Sequence, residues 1–134
     1  PAARRLDYRL GDELTLTCAS IARGEGEIAI DLFWRVEAAP AHDYTVFLHG
    51  LDAGGEMVAQ NDGPPLGSRY PTSLWRPGQN LSDHHTLPAD PAIAAVAVGL
   101  YRPDTGGRLP VTQDGRPVPD GRIVLPLAAN DCRP

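Results

Sequence analysis

Apolar and polar residues alternate one for one through residues 14–18, Leu-Thr-Leu-Thr-Cys. They do so again through residues 28–37, where Ile28, Ile30, Leu32, Trp34 and Val36 alternate with Ala29, Asp31, Phe33, Arg35 and Glu37. A period of two sends successive side chains to opposite faces, so both stretches predict half-buried strands. Residues 44–51 are apolar on both faces, as in a central strand covered from both sides. Asp52-Ala53-Gly54-Gly55 follows, and glycine accepts the positive φ of a tight hairpin, so residues 57–60 are predicted to return along that strand. Between residues 63 and 78, four prolines and three glycines interrupt any regular period. Strands are predicted to resume at residues 80–87 and 93–101, separated by Pro88 and Pro91, with Val96, Val98 and Leu100 facing the core. Residues 102–107 and Asp114-Gly115 read as turns, and residues 123–125 as a last strand bounded by Pro126. No stretch combines a helical period with caps. Seven or eight short strands separated by turn signals predict an all-β, antiparallel two-sheet β-sandwich, immunoglobulin-like or alternatively a jelly roll.

The chain has 134 residues, the usual size of one domain and enough to bury a core. A single domain over residues 1–134 is therefore expected. The longest apolar run, residues 92–100, is about half of the ~18 residues that a membrane helix requires. The formal charge is -5, and the arginines are scattered from Arg4 to Arg133 with no lysine, which argues against a nucleic-acid partner. Two cysteines, Cys18 in the first clear strand and Cys132 near the C-terminus, are either unpaired thiols or a bridge closing the ends of a sandwich. A bridge would imply an oxidising compartment.

Candidate chemistry concentrates on the long loop. Tyr70, Thr72, Ser73, Trp75 and Arg76 place a phenol, two hydroxyls, an indole and a guanidinium between prolines, with Gln60, Asn61 and Asp62 at the loop's entrance. Sugar recognition uses that mixture, an aromatic face stacking on a pyranose while polar groups take its hydroxyls, so Asp62, Tyr70, Trp75 and Arg76 are the candidate ligand-binding residues. The competing reading has Tyr70 and Trp75 covering an open sheet edge and Asp62 capping backbone N–H groups of the loop. The state of Trp75 discriminates: an open ring favours binding, a buried one structure.

His84-His85 beside Asp83 offers metal-ligand types, but adjacent strand residues face opposite ways, and neither HExxH nor paired-cysteine spacing occurs. His49, on the expected central strand, reads as a donor to a backbone carbonyl or as a solvent-facing strand end. No serine lies in Gly-x-Ser-x-Gly and no glycine-rich phosphate loop opens a helix. Asp52 with Glu56, and Asp83 with Asp90, can be paired on paper but read as solvated turn carboxylates. No catalytic residue, metal or cofactor is expected.

The ordered series YTVFLH, VAQ-D-PP, YPTS-W-PG and VGLY-P-TG-RLPV, spread over residues 14–125, resembles a β-sandwich domain at the C-terminal, extracytoplasmic end of bacterial multi-spanning membrane proteins. Those proteins are similar to glycosyltransferases of the dolichyl-phosphate-mannose mannosyltransferase type. Gly50 departs from the pattern where a larger apolar residue is preferred, and Ala94 where an aromatic is common. The resemblance implies a noncatalytic accessory or structural domain, excised from a longer chain and tethered outside the cytoplasm. Its partners would be the membrane-embedded part of that chain and, in the alternative reading of a carbohydrate-binding module, a glycan or lipid-linked sugar held by the loop from Tyr70 to Trp75.

Overall fold

A computed structural model describes residues 6–130 and Cys132. Ten strands build it: β1 Tyr8–Leu10, β2 Leu14–Arg23, β3 Glu27–Val36, β4 Thr45–Leu51, β5 Met57–Gln60, β6 Asn80–Pro88, β7 Ala95–Tyr101, β8 Val111–Gln113, β9 Arg116–Val118 and β10 Ile123–Pro126. All pair antiparallel, in a six-stranded sheet ordered β6-β3-β2-β1-β8-β9 and a four-stranded sheet ordered β10-β7-β4-β5. The chain crosses between sheets from β3 to β4, from β5 to β6, from β6 to β7, from β7 to β8 and from β9 to β10. Of the two expected arrangements this is the immunoglobulin-like one, with the β8–β9 hairpin inserted before the last strand.

The count exceeds the seven or eight strands read from the sequence because β1, β8 and β9 are three residues each, too short to display alternation. Asp114-Gly115 turns β8 into β9 with both residues at positive φ, the requirement of a two-residue hairpin turn. Pro117 sits on β9, which ends its sheet, where a missing N–H donor is tolerated.

The inward residues follow the predicted alternation. Ile28, Ile30, Leu32, Trp34 and Val36 of β3 face Val46 and Leu48 of β4 and Val96, Val98 and Leu100 of β7 in one buried cluster. In β2 the register slips between Leu16 and Cys18. That bulge turns Leu14 and Leu16 inward before it and Ala19 and Ile21 inward after it, leaving Cys18 on the outer side.

The same edge of β2 has two partners. Its first half takes β1, and its second half takes the C-terminal segment, with Ser20 opposite Asn130 and the Ile21 amide donating to the Ala129 carbonyl at 2.9 Å. Two residues on, that register sets Cys132 beside Cys18. Their sulfurs are bonded, with the Cα atoms 5.2 Å apart.

One expectation about a carboxylate is overturned. Asp83 is not at a turn: it lies in the middle of β6 and is fully buried. Its oxygens accept the Trp34 indole N–H at 3.1 Å and the Leu66 amide at 2.9 Å, and His85 Nε2 approaches at 2.7 Å. The alternation explains it, because position 83 faces inward opposite Leu32.

Candidate functional site

The loop of residues 63–78 lies along β6, the outer edge of the large sheet, and forms a left-handed bend through Leu66 and Gly67 and one short helical turn, Thr72–Leu74. It is bonded inward at several points. The Leu66 amide donates to Asp83, the Tyr44 amide donates to Thr72 Oγ1 at 2.9 Å, and that hydroxyl donates to the His42 carbonyl at 2.6 Å. The Ser73 amide donates to Asp43 Oδ1 at 3.0 Å, and the hydrogen bonds from Ser73 hold the Asp43 carboxyl below its ordinary range.

Trp75 is 1% exposed, with its indole N–H donating to the Tyr70 carbonyl at 2.8 Å. No face of this ring is open to stack on a sugar; its size and apolar surface place it in the core instead. The Tyr70 hydroxyl lies 3.1 Å from the Leu74 carbonyl and exchanges hydrogen bonds with the Gln79 side chain. Arg76 is exposed, and its amide donates to Gln79 Oε1 at 2.8 Å. The aromatic residues that suggested a binding platform therefore close the loop on itself.

Asp62 is elsewhere. Hydrogen bonds between residues 61–63 and Leu48 and Val46 extend the β4–β5 pairing past Gln60. Strand alternation then turns Asp62 to the outer face of the small sheet, away from loop amides. It accepts a bond from the Tyr101 hydroxyl at 3.2 Å and caps no backbone N–H among the described residues.

Around Asp62 the outer face of the small sheet carries an open hollow of about 200 Å³, lined by Phe47, His49, Asp62, Tyr101, Gly106 and Arg108. Phe47 and His49 project from β4 on one face, their rings 5.0 Å apart. Beyond β7 the chain reverses through residues 102–107 and sets Arg108 opposite Tyr101. The Arg108 guanidinium lies 4.3 Å above the Phe47 ring centre, a favourable cation–π geometry, and Nη1 donates to the Asp120 carbonyl at 2.9 Å.

The electrostatics are shifted here. Burial, opposed by Asp62 and reinforced by Arg108 and Arg122, holds the His49 imidazole below its ordinary 6.5, which favours its uncharged form. Burial first, then the Asp62 carboxylate, pushes the Tyr101 phenol up. Phe47, Tyr101 and Arg108 were not legible as one site, since the register between β4 and β7 and the reversal after Tyr101 bring them together. The one available signal was the parity of Phe47 and His49 in VFLHG.

A wider hollow, about 780 Å³, crosses the outer face of the large sheet past Arg9, Thr15, Arg35, Glu37 and Thr112. Three of its polar groups, Thr15, Arg35 and Glu37, bond one another. Thr15 donates to Glu37 Oε2 at 2.7 Å, Arg35 Nε lies 3.5 Å from Glu37 Oε1, and Arg9 reaches the Asp12 carbonyl. The neighbouring histidines diverge as alternation requires, exposed His84 to half-buried Asp31 and His85 to buried Asp83. Among the described residues no group of three or more His, Cys, Asp or Glu is placed to hold a metal, and no helix is long and apolar enough to cross a membrane. No family model, no curated protein and no solved structure matches the chain.

Proposed function

We propose that this chain is a noncatalytic accessory domain, held outside the cytoplasm, of a membrane protein resembling glycosyltransferases of the dolichyl-phosphate-mannose mannosyltransferase type. The observation that carries the reading is the bridge between Cys18 and Cys132. Disulfides persist in oxidising compartments and are rare in the cytosol, and this one fastens the C-terminal segment to the large sheet. The closed loop supports a packing role in place of a sugar platform, because Trp75, Thr72 and Asp83 all serve to hold the loop against the sandwich. The remaining surface then serves contact with the membrane-embedded part of the same protein. The ordered motifs YTVFLH, YPTS-W-PG and VGLY-P-TG-RLPV support that setting.

The test is to express the chain with and without a secretion signal in a bacterium, then alkylate, weigh and melt both products. Exported protein with no alkylatable thiol and a higher melting temperature than the reduced cytosolic form is the expected result. Free thiols in the exported protein, with equal stability in both forms, would remove the support for an extracytoplasmic setting. Transfer or hydrolysis of a polyprenyl-phosphate sugar by the purified chain would overturn the noncatalytic part.

A further inference from the structure

We propose that the hollow on the outer face of the small sheet, between Asp62, His49 and Arg108, binds a single sugar ring or comparable neutral polyol. The inference rests on hydrogen-bonding capacity that the fold leaves unused. Asp62 receives one bond, from Tyr101 to Oδ2, and Oδ1 has no partner among the described residues. Arg108 donates through Nη1 to Asp120, which leaves Nε and Nη2. Neither ring nitrogen of His49 bonds a described residue.

The three side chains therefore present a carboxylate acceptor, charged N–H donors, and an uncharged imidazole with one donor and one acceptor. A hydroxyl both donates and accepts, so a vicinal pair can donate to Asp62 while accepting from Arg108. The two formal charges lining the hollow cancel. A bare anion would gain from Arg108 but face Asp62, and a bare cation would meet the reverse, whereas a neutral polyol satisfies both. A space of about 200 Å³ admits one ring, below the ~300–1,000 Å³ of pockets for drug-sized ligands.

The Arg108 donors are also held before a ligand arrives. Phe47 is 2% exposed and lies against Gly99, where any Cβ would strike its ring. That ring fixes the plane of Arg108 from below while the Asp120 carbonyl fixes one end of the guanidinium. Groups ordered in advance lose little entropy on binding. This site is independent of the loop of residues 63–78 and of the compartment in which the domain resides.

The experiment is an amide and histidine-ring NMR titration of the whole chain with methyl glucoside, methyl mannoside and methyl galactoside, and with inorganic phosphate as the anion probe. Saturable shifts from at least one glycoside, clustered on Phe47, His49, Asp62, Tyr101 and Arg108, are expected. Asp62→Asn, an exposed and isosteric change, and His49→Gln should each weaken that binding roughly tenfold or more while leaving the rest of the spectrum intact. No saturable shift with any glycoside overturns the proposal, as does binding that survives Asp62→Asn or clusters elsewhere. Saturation by phosphate alone would make this an anion site and overturn it equally.

Discussion

A methyl group at position 99 would meet the Phe47 ring and stand 2.7 Å from the Gly121 carbonyl oxygen. Phe47 is pressed beneath Arg108 and the carbonyl is backbone, so neither can step aside. Gly99→Ala should destabilise by about 1–3 kcal/mol through overpacking, read as a lower urea midpoint together with shifted Phe47 ring resonances. Gly50 differs. Its nearest neighbour is the Ile93 side chain, whose Cδ1 would lie 2.7 Å from an added Cβ. Ile93 thus fills the space that a larger apolar residue would otherwise take, and Ala94 is exposed, so neither small residue opens the core. His49 supplies a pH dependence. Its folded pKa lies below 6.5 because burial disfavours the cation and Arg108 and Arg122 add repulsion that Asp62 only partly offsets. Below pH 6.5 the unfolded chain takes the proton first, so this contribution to stability is present above 6.5 and lost as pH falls through the folded value. Urea midpoints followed downward from pH 6.5 should fall less steeply in His49→Gln than in the unaltered protein. Equal slopes would mean that the imidazole is not perturbed.

Among the elements, the loop of residues 63–78 behaves as a strap fastened at three points: Leu66 to Asp83, Thr72 and Ser73 to residues 42–44, and Trp75 into the core. Trp75→Ala removes the largest of these and should cost about 3–5 kcal/mol, whereas a merely exposed platform would cost little. Chemical denaturation decides between the two. Loss of slowly exchanging amides at Leu66 and Tyr44 would place the damage in the strap. The sequence shows why this element was half legible. Prolines at positions 64, 65, 71 and 77 excluded strand and helix, but nothing in YPTSLW says whether an indole points out or in, since an irregular backbone has no period from which to infer a face. Strands of seven to ten residues were readable because alternation repeats enough times to fix a face. β8 and β9 were visible only as the Asp-Gly turn between them. Asp83 was misplaced for a related reason: a carboxylate between Ser82 and His84 looks solvated unless the inward parity of Leu81 through Leu87 on β6 is weighed against its charge. Asp62 reads from the sequence as a loop cap or a ligand contact at the loop's entrance, whereas its hydrogen-bond partner among the described residues, Tyr101, comes from β7.

At the scale of the whole molecule, the two sheets share a buried core, yet the last strand belongs to the small sheet while the residues after it belong to the large one. β10 pairs with β7. The Ala129 amide then donates back to the Pro126 carbonyl at 2.9 Å, Asn130 pairs with Ser20, and Cys132 bonds Cys18. The bridge spans a sequence separation of 114, so it constrains nearly the whole unfolded chain. Chain-entropy reasoning gives about 4–5 kcal/mol for a loop of that size, with about 2–4 typical of measured bridges. Replacing both cysteines by alanine should therefore lower the stability by roughly 2–5 kcal/mol. It should leave the folded core intact, because Cys18 faces outward and no buried side chain except Ala129 comes from the described segment beyond Pro126. Two measurements check this together. Urea unfolding should show a lower midpoint, and hydrogen exchange in the folded variant should show faster exchange at Ile21, whose amide bonds Ala129, with little change at Val98 or Leu48 in the centre of the small sheet. If Val98 and Leu48 lost protection as much as Ile21, the bridge would be holding the two sheets together and not just the terminal segment against β2.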